Sequence, residues 1–320
     1  MKELVSVVIT AYNAEAYLGA AIESTLDQTY PHWELILVND GSQDNTLALM
    51  ESYAAKDSRI RVLSHENRGI SASNNRALEV AQGVYFAKLD ADDTMVPERL
   101  EKQLAYLQQH PEVTMLSCQA FYINPKGKVI GVQITPGYTH PAESRQAQRD
   151  GRLVIALHSG FMTYMEKMRE VGGYREDLPC VVDLDLYNRM VARGNTLIIM
   201  PDKLVHYRMH LASVMALTTR NNRTQLVKAW LADTYRRQAE GKPARPLEEF
   251  RKTLTDEAFW RRWSRRCKEM SYHYRRNSII HYGDRNYPAF VYSVGLATAL
   301  QPAHTFKRIG AWLKRKISKS

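Results

Sequence analysis

The segment LVSVVITAYNAEAYLGAAIESTLDQTYPHWELILVND, residues 4–40, contains the pattern that decides the fold. Its opening, LVSVVITAY, is a β-branched apolar run, which is typical of a strand buried on both faces. In the residues that follow, Leu18, Ala21, Ile22 and Leu26 recur at helical spacing. The segment ends in WELILVND, a second strand pattern. The sequence therefore predicts a strand, a helix and a second strand in immediate succession.

The same alternation continues along the chain. Helical patterns follow in SQDNTLALMESYAAKD, in ISASNNRALEVAQG, which Gly83 ends, and in VPERLEKQLAYLQQHP. Strand patterns lie between and after them, in IRVLS, VYFAKLD and VTMLSCQAFYI. Repeated strand and helix patterns of this kind predict an α/β fold with a mostly parallel sheet flanked by helices.

The second half of the chain is less regular. INPKGKVIGVQITPG predicts a hairpin, and the polar residues 138–152 predict a loop. VVDLDLYNRMVARG predicts a helix, and TLIIMPDKLVHYRMH predicts a last strand that leads into a basic loop. A linker, AEGKPARP, then precedes a helical C-terminal region.

Composition and charge narrow the function classes. The formal net charge is +10, and basic residues concentrate in C-terminal stretches such as FWRRWSRRCKEM and FKRIGAWLKRKISKS. A basic surface suggests phosphate groups, as in nucleic acid, anionic lipid or a pyrophosphate-bearing substrate. The three cysteines lie far apart and suggest neither a zinc site nor a disulfide framework, as in a reducing cytosol. We see no signal peptide and no uncharged run of the roughly 20 residues that a spanning helix needs.

Polar residues gather where the predicted strands end. The first strand leads into Thr10–Asn13, the second into Asn39–Ser42, and the fourth into Asp90–Asp93. Ligands of parallel α/β sheets bind at the carboxyl ends of the strands. We therefore expect these residues to form one site.

The acidic cluster after the fourth strand has two interpretations. If the strand continues to Asp92, Asp90 and Asp92 project to the same side and repel each other. Carboxylates in that arrangement favour a hard cation, Mg²⁺ or Mn²⁺. Alternatively, the aspartates cap the helix that begins in VPERL. Capping would explain Asp93 but not Asp90.

Four motifs, in order, resemble an inverting family-2 glycosyltransferase of the GT-A fold, of the kind that builds bacterial surface polysaccharides. They are VSVVITAYNAEAYLGAAIESTLDQTYPHWELILVNDGSQDNT, NRGISASNNRAL, KLDADD and GGYREDLPCVVDLDLYNRM, and the likeness covers residues 4–215. The resemblance implies a Rossmann-like nucleotide-sugar-binding half at 1–120 and an acceptor-binding, catalytic half at 121–220. Residues 221–320 would then form a helical, basic C-terminal region.

The resemblance also implies a donor site. It would bind a UDP-sugar and a divalent cation, Mn²⁺ or Mg²⁺. Uracil or ribose would contact Thr10, Ala11 and Tyr12, and Asp40 would accept a hydrogen bond from the base. The remaining donor-site residues would be Asn67, Arg68 and Asn74 near the base and diphosphate, Asp90 at the ribose and Asp92 at the cation. From the residues alone, a strand-to-helix turn stays open for the segment NDGSQDNT that contains Asp40, and helix capping or surface exposure stays open for Asn67, Arg68 and Asn74.

By the same resemblance, Asp183 is the general base that deprotonates the acceptor hydroxyl, with Asp185 and Arg189 in support. Val182 stands where the family usually has Glu. The alternative is that Asp183 and Asp185 are carboxylates favoured by a helix N-terminus, with Asp185 also a competing base.

The loop HYRMHLASV is similar to the family's closing loop. It offers Arg208 as a supporting residue and His210 as a second metal ligand, although simple exposure of His210 is an equal alternative. His158, in LHSG, is a further candidate beside the acceptor.

The C-terminal stretch FKRIGAWLKRKISKS has apolar residues at helical spacing between lysines and arginines. This pattern predicts either a helix at an anionic membrane surface or an amphipathic helix packed on the protein. The first suits a glycan or polyprenyl-diphosphate-linked acceptor and a cytoplasmic enzyme at the inner face of the membrane. Two other functions stay open, a nucleotidyltransferase that makes an activated sugar and a non-catalytic nucleotide-binding protein. No nucleic-acid partner is expected, since no recognised module is visible.

Overall fold

The structure, a computed structural model, describes residues 3–135, 137–210, 222–255, 259–283 and 285–302. The chain divides into two units. The first unit comprises Met1–Tyr122, Gly131–Arg208 and Leu231–Ala244. The second unit comprises Ile123–Ile130, Met209–Trp230 and Arg245–Ser320. The predicted basic helix at 306–317 lies outside the described residues.

The described strands form one nine-stranded sheet. They are β1 (Val5–Ala11), β2 (Trp33–Asp40), β3 (Ile60–His65), β4 (Tyr85–Lys88), β5 (Thr94–Met95), β6 (Met115–Ile123), β7 (Val129–Gln133), β8 (Met162–Tyr164) and β9 (Leu197–Arg208). Their order is β3-β2-β1-β4-β8-β6-β9-β5, and β7 pairs with β6. The first four strands in this order are parallel, whereas β8 runs antiparallel to both β4 and β6. The predicted α/β fold with a mostly parallel sheet is confirmed.

Helices connect the strands and continue beyond the sheet. In the described residues they are α1 (Glu15–Leu26), α2 (Thr46–Ala54), α3 (Ile70–Val80), α4 (Arg99–Gln109), α5 (Pro141–Arg149), α6 (Met165–Glu170), α7 (Val182–Ala192), α8 (Asn222–Ala239), α9 (Leu247–Thr255), α10 (Phe259–Gly283) and α11 (Tyr287–Leu300). A short 3-10 turn spans His158–Gly160. Within the described residues, no helix is both long enough and apolar enough to cross a bilayer.

The β-branched run that opens the sequence is the centre of the core. Val5, Val7, Val8 and Ile9 of β1 are completely buried, and four successive residues of β2, Leu35–Val38, are buried with them. Each such side chain contributes about 1.5–3 kcal/mol of burial free energy. Because both faces of these strands are covered, the two polar strand ends are fixed in place at one edge.

In the second half of the chain one prediction was wrong, and one short strand was not predicted. Residues 138–152 are not a loop, since they contain α5. His140 and Glu143 form a capping box at its start, and Pro141 occupies a first-turn position. The sequence also gave no sign of β8, because a strand of three residues is too short to show a period. The helix α3 ends at Val80, three residues before the predicted stop at Gly83.

Candidate active site

The loops after β1 and β2 interlock through Asn13. This residue has a left-handed backbone, with φ of 48°, which Asn tolerates better than most residues. Its amide N–H donates to Ser42 Oγ at 3.0 Å, and its Oδ1 accepts the N–H of Gln43 at 2.8 Å. These bonds bring the ends of β1 and β2 together, as the sheet rule predicted.

Asp40, the last residue of β2, is buried and held by the start of α3. Its Oδ1 accepts the N–H of Arg68 at 2.8 Å, and its Oδ2 accepts the N–H of Gly69 at 3.0 Å. The loop can approach this closely because residue 41 is glycine. A Cβ at residue 41 would lie 2.5 Å from the main-chain nitrogen of Asn67, and the φ of 70° at residue 41 suits glycine.

The other residues of the predicted donor site differ in accessibility. Tyr12, Asn67 and Arg68 are exposed, Thr10 is partly buried, and Ala11 is buried. Asn74 has no exposed surface, and its Nδ2 donates to the carbonyl of Ile70 at 2.8 Å within α3. A nucleotide on the surface of the described structure would therefore meet Tyr12, Asn67 and Arg68 but not the side chain of Asn74.

The acidic cluster is a turn and not a continued strand, so the expected alternation of Asp90 and Asp92 is wrong. β4 ends at Lys88, and the N–H of Asp93 donates to the carbonyl of Asp90 at 3.1 Å. The helix-capping alternative is also wrong for Asp93, because Glu98 occupies the N-cap of α4. The turn directs each carboxylate differently.

Asp90 pairs with a lysine inside the sheet. Lys88 is completely buried, and its Nζ lies 3.3 Å from Asp90 Oδ1. Burial lowers the pKa of Lys88, and Asp90 only partly opposes that effect. Burial by itself would raise the pKa of Asp90, but the charges of Lys88 and His158, together with hydrogen bonds from Ser159 and Lys88, leave the pKa below its usual value.

Asp93 is buried behind the turn. Its Oδ1 accepts the N–H of Arg208 at 2.8 Å, and its Oδ2 contacts Ser159 Oγ at 2.5 Å. Burial, followed by the charges of Asp92 and Asp90, raises its pKa well above the usual value. Ser159 Oγ also lies 3.0 Å from Asp90 Oδ2, and it carries one proton for two carboxylates. A proton on Asp93 satisfies both contacts, because Ser159 then accepts from Asp93 and donates to Asp90.

Arg208 attaches the end of β9 to the acidic turn. Its Nε donates to the main-chain carbonyl of Asp92 at 2.7 Å, and its guanidinium lies 4.8 Å from the ring centroid of Tyr17. The carboxylate of Asp92 itself is partly exposed. His210 belongs to the second unit and is the last described residue before 211–221.

His158 begins the 3-10 turn, and its ring lies between two tyrosines from other parts of the chain. Its Nδ1 is 2.8 Å from the hydroxyl of Tyr187, and its Nε2 is 3.4 Å from that of Tyr174. Burial lowers the pKa of His158, against the opposing charges of Asp90 and Asp183. The same two carboxylates act on both tyrosines, whose pKa values burial raises well above the usual value. The charges of Asp90 and Asp183 therefore both act on one cluster, His158, Tyr174 and Tyr187, which we call the His158 cluster.

Asp183 lies in the first turn of α7 and is partly exposed. Its side chain makes no hydrogen bond or ion pair with any described residue. Tyr187 lies four residues later, on the same face of the helix. Asp183 is thus an accessible carboxylate at a helix N-terminus, where negative charge is favoured.

Asp185 occupies a different side of α7 and has a different environment. It is buried, accepts from Arg189 Nε at 2.6 Å and lies 3.6 Å from Arg175. Arg189 also donates to the carbonyls of Val171 and Gly173, each at 2.7 Å. The two residues join α7 to the preceding turn, so they support the helix that carries Asp183.

Four residues near these carboxylates were not singled out from the sequence: Lys88, Ser159, Tyr174 and Tyr187. Two had a readable signal. Lys88 stands two residues before Asp90 at the end of a strand pattern, and Tyr187 stands four residues after Asp183 in a helix pattern. The other two come from loops whose contacts no local pattern reveals.

The carboxylates of the acidic turn are the candidate ligands of a cation. Among the described residues, no group of three Asp, Glu, His or Cys side chains converges on a common point. Asp90 and Asp93 contact Lys88, Ser159 and Arg208, and Asp92 is a partly exposed residue of the same turn. Mg²⁺ in proteins is commonly held by one or two carboxylates, with water and substrate phosphates completing its shell. The residues present fit that mode of binding.

Comparison with known protein sequences identifies a family and several relatives. A family model described as glycosyl transferase family 2 matches residues 6–172. An uncharacterized glycosyltransferase of Haemophilus influenzae is 33% identical over 218 residues, which is 65% of this chain and 66% of that protein. A putative teichuronic acid biosynthesis glycosyltransferase, TuaG of Bacillus subtilis, is 45% identical over 109 residues, 34% of this chain and 43% of TuaG. The chain thus spans two thirds or less of the length of these two relatives.

Solved structures share the fold at low sequence identity. The mannosyltransferase PcManGT from Pyrobaculum calidifontis, in complex with GDP-Man and Mn²⁺, has a TM-score of 0.57 and 18% identity, covering 98% of this chain and 81% of that one. Residues 1–349 of TarS from S. aureus, in complex with UDP-GlcNAc, have a TM-score of 0.57 and 14% identity, covering 93% and 92%. The predicted GT-A fold is confirmed.

Proposed function

Because the chain belongs to glycosyl transferase family 2, we propose that it moves one sugar from a UDP-sugar to a hydroxyl group of a glycan or of a saccharide linked to polyprenyl diphosphate. The family match favours this hypothesis over a nucleotidyltransferase. Support for UDP comes from the TarS complex with UDP-GlcNAc, and support for a polysaccharide product comes from the name of TuaG.

In this proposal the nucleoside binds at the ends of β1 and β2. The exposed ring of Tyr12 offers a face on which uracil stacks. Asp40 Oδ2 accepts one backbone N–H within the protein and retains a lone pair for the N3–H of the base. Asn67 and Arg68 are exposed beside Asp40, and the guanidinium of Arg68 provides positive charge for a diphosphate.

The diphosphate binds beside the acidic turn in this proposal. Asp92 would hold a divalent cation, with His210 as the second candidate ligand. When bound, the cation neutralises the charge that accumulates on the departing UDP. Asp90, ionised beside Lys88, is positioned to accept hydrogen bonds from the ribose hydroxyls.

Asp183 is the base of the proposed transfer. It takes the proton of the acceptor hydroxyl, whose oxygen forms a bond to the anomeric carbon while the carbon–oxygen bond to UDP breaks. Attack from the face opposite the leaving group inverts the anomeric carbon. The observation that supports this proposal is that the charges of Asp90, which follows β4, and of Asp183, in α7, both act on the hydrogen-bonded His158 cluster. The sugar would then lie over His158.

Substitution of the base tests the proposal. Asp183→Asn should lower turnover of the accepted UDP-sugar by about 10²–10⁴-fold, the usual contribution of a general base, and leave UDP affinity unchanged. Turnover is measured across a panel of UDP-sugars, and UDP affinity by calorimetry with Mn²⁺ or Mg²⁺. Asp177→Asn is the control, since Asp177 is an exposed acid six residues earlier in the same chain.

The outcomes are separable. Full turnover in Asp183→Asn would remove this residue as the base while leaving the transferase hypothesis intact. Failure of the unmodified protein to bind UDP with either cation would refute the proposed donor. UDP binding without hydrolysis or transfer of any sugar would favour the non-catalytic alternative.

We further propose that the enzyme works at the inner surface of the cell membrane, where a polyprenyl-linked acceptor would lie. The charge distribution supports this position. The second unit contains 22 Lys and Arg residues against 6 Asp and Glu, whereas the first contains 22 against 28. A unit with this excess of basic residues is suited to contact an anionic surface.

A further inference from the structure

Helices α10 and α11 of the second unit pack as an antiparallel pair. Ser271 Oγ donates to the carbonyl of Ala297 at 2.9 Å, and the rings of Tyr282 and Phe290 lie 5.5 Å apart near the connecting turn. Asn286 caps α11 by accepting the N–H of Ala289. The contact between the helices fixes which face of α11 is turned away from α10.

That outward face of α11 is apolar. Tyr287 is 55% exposed, and Val291 and Tyr292 are each 66% exposed. Further exposed positions are Pro288, Gly295 and Ala299, so the exposed positions recur every three to four residues along one side. The whole helix, YPAFVYSVGLATAL, contains no charged residue. We call the exposed residues Tyr287, Val291 and Tyr292 the α11 face.

The exposed side of α11 is the reverse of that expected in water, and serines are buried within the helix pair. Ser271, Ser278 and Ser293 are buried, and so is Ala297, whereas aromatic and aliphatic side chains point outward. A helix on the surface of a soluble protein normally turns its polar side to solvent. Small and hydroxyl-bearing residues between helices, with apolar residues outside, are typical of helices that pack in a lipid environment.

The charge of the second unit indicates what covers the α11 face. Arg285 is exposed just before Tyr287, and Arg266 and Lys268 are exposed on α10. The sequence after α11, residues 303–320, adds six more basic residues and no acidic one. Two such units would repel each other, whereas an anionic lipid surface is complementary to both the charge and the apolar side chains. Tyrosine is also favoured at the boundary between lipid and water, where its ring is buried and its hydroxyl stays hydrated.

We propose that the α11 face lies in the headgroup region of an anionic bilayer, with Val291 and Tyr292 inserted between lipids. The exposed basic residues of α10 contact lipid phosphates. This inference assigns residues to the membrane position suggested under the proposed function, and it does not depend on the transfer chemistry. It also places membrane contact within described residues instead of only in the stretch at 306–317.

Vesicle binding tests the inference on the full chain. Purified protein is sedimented with vesicles of phosphatidylcholine mixed with phosphatidylglycerol, and with vesicles of phosphatidylcholine alone. We expect binding to the anionic vesicles only, weakening as salt is raised. The double variant Val291→Ser/Tyr292→Ser should lose about tenfold or more in partitioning, since the inserted side chains are gone.

A matched control and a charge variant sharpen the test. Ile134→Ser/Ile155→Ser removes two aliphatic side chains that are 61% and 54% exposed in the first unit, and it should bind vesicles normally. Arg266→Glu/Lys268→Glu alters two exposed side chains and should lose the preference for anionic lipid. UDP affinity measured on the same samples should stay unchanged in all variants, which separates this inference from the proposed function.

Three results would overturn the inference. The first is equal binding by the unmodified protein and by Val291→Ser/Tyr292→Ser. The second is absence of binding to anionic vesicles, or equal binding to neutral ones. The third is a dimer of the unmodified protein, seen by analytical ultracentrifugation, that the Val291→Ser/Tyr292→Ser variant converts to a monomer. That result would assign the α11 face to contact between copies of the chain.

Discussion

Asp183 and Asp185 stand two residues apart in one helix, and Asp185→Ala tests whether their roles differ as their surroundings do. Asp185 is 1% exposed and bonded to Arg189, whereas Asp183 has no partner among the described residues. Removing one member of a buried ion pair costs about 3–5 kcal/mol, because the other charge is left buried and unpaired. We therefore expect Asp185→Ala to destabilise the protein.

The structure places the cost at the lower end of that range, about 3 kcal/mol. Arg189 keeps its bonds to the carbonyls of Val171 and Gly173, and the side chain of Arg189 is 21% exposed, so water reaches the guanidinium. In a unit of about 200 residues, 1 kcal/mol corresponds to roughly 2–4 °C in Tm. Asp185→Ala should thus melt about 6–12 °C below the unmodified protein.

Thermal and urea unfolding measure this loss, and two variants serve as comparisons. Asp177→Ala removes a carboxylate that also pairs with Arg175 but is 66% exposed, so we expect a change of at most about 0.5–1 kcal/mol. Asp183→Asn should unfold like the unmodified protein. If Asp185→Ala melts with the unmodified protein, or if it retains stability but loses turnover as Asp183→Asn is expected to, the distinction between the two aspartates is refuted.

Two further predictions concern the nucleotide loop and the His158 cluster. Gly41→Ala should weaken UDP binding about tenfold or more in calorimetry, because the added Cβ would lie 2.5 Å from the main-chain nitrogen of Asn67. Gly127→Ala is the control: the φ there is also positive, at 80°, but no atom lies within 4 Å of the added Cβ, so UDP binding should not change. Burial lowers the pKa of His158, so the unfolded state takes up a proton that the folded state refuses once the pH falls below about 6.5. The free energy of unfolding should therefore fall by up to about 1.4 kcal/mol for each pH unit below about 6.5. Urea unfolding at several pH values measures this decline, and His158→Gln should lack the part of it that is due to His158. An unchanged slope in His158→Gln would contradict the lowered pKa.

The parts of the fold that were predictable from sequence are those with local causes. The runs that became β1 and β2 are apolar at every position because both faces of these strands are buried. The polar residues after them were correctly placed at one sheet edge, since parallel strands end on the same side. The short β8 and the helix α5 were missed because three residues show no period and because a polar helix resembles a loop in composition.

The acidic turn shows where local reasoning stops. Alternation along a strand predicts that Asp90 and Asp92 share a side, but β4 ends at Lys88, and a hydrogen bond from Asp93 to Asp90 closes a turn instead. The partners that decide each carboxylate's state come from distant sequence. Ser159 and Arg208 bond to Asp93 across 66 and 115 residues of sequence, and no rule of local spacing connects positions so far apart.

The choice between Asp183 and Asp185 was closer to being readable. Residues two apart in a helix project about 200° from each other, so only one of the two can share a face with Tyr187. Arg189 stands four residues after Asp185, the spacing at which opposite charges pair along a helix, and the structure has that pair. Asp185 is therefore held in the ion pair with Arg189 and is buried, whereas Asp183 is partly exposed. The sequence did not reveal that His158 contacts Tyr187 on the α7 face that carries Asp183, because His158 belongs to a turn outside α7. Asp183 as the base stays a prediction, and the turnover of Asp183→Asn tests it.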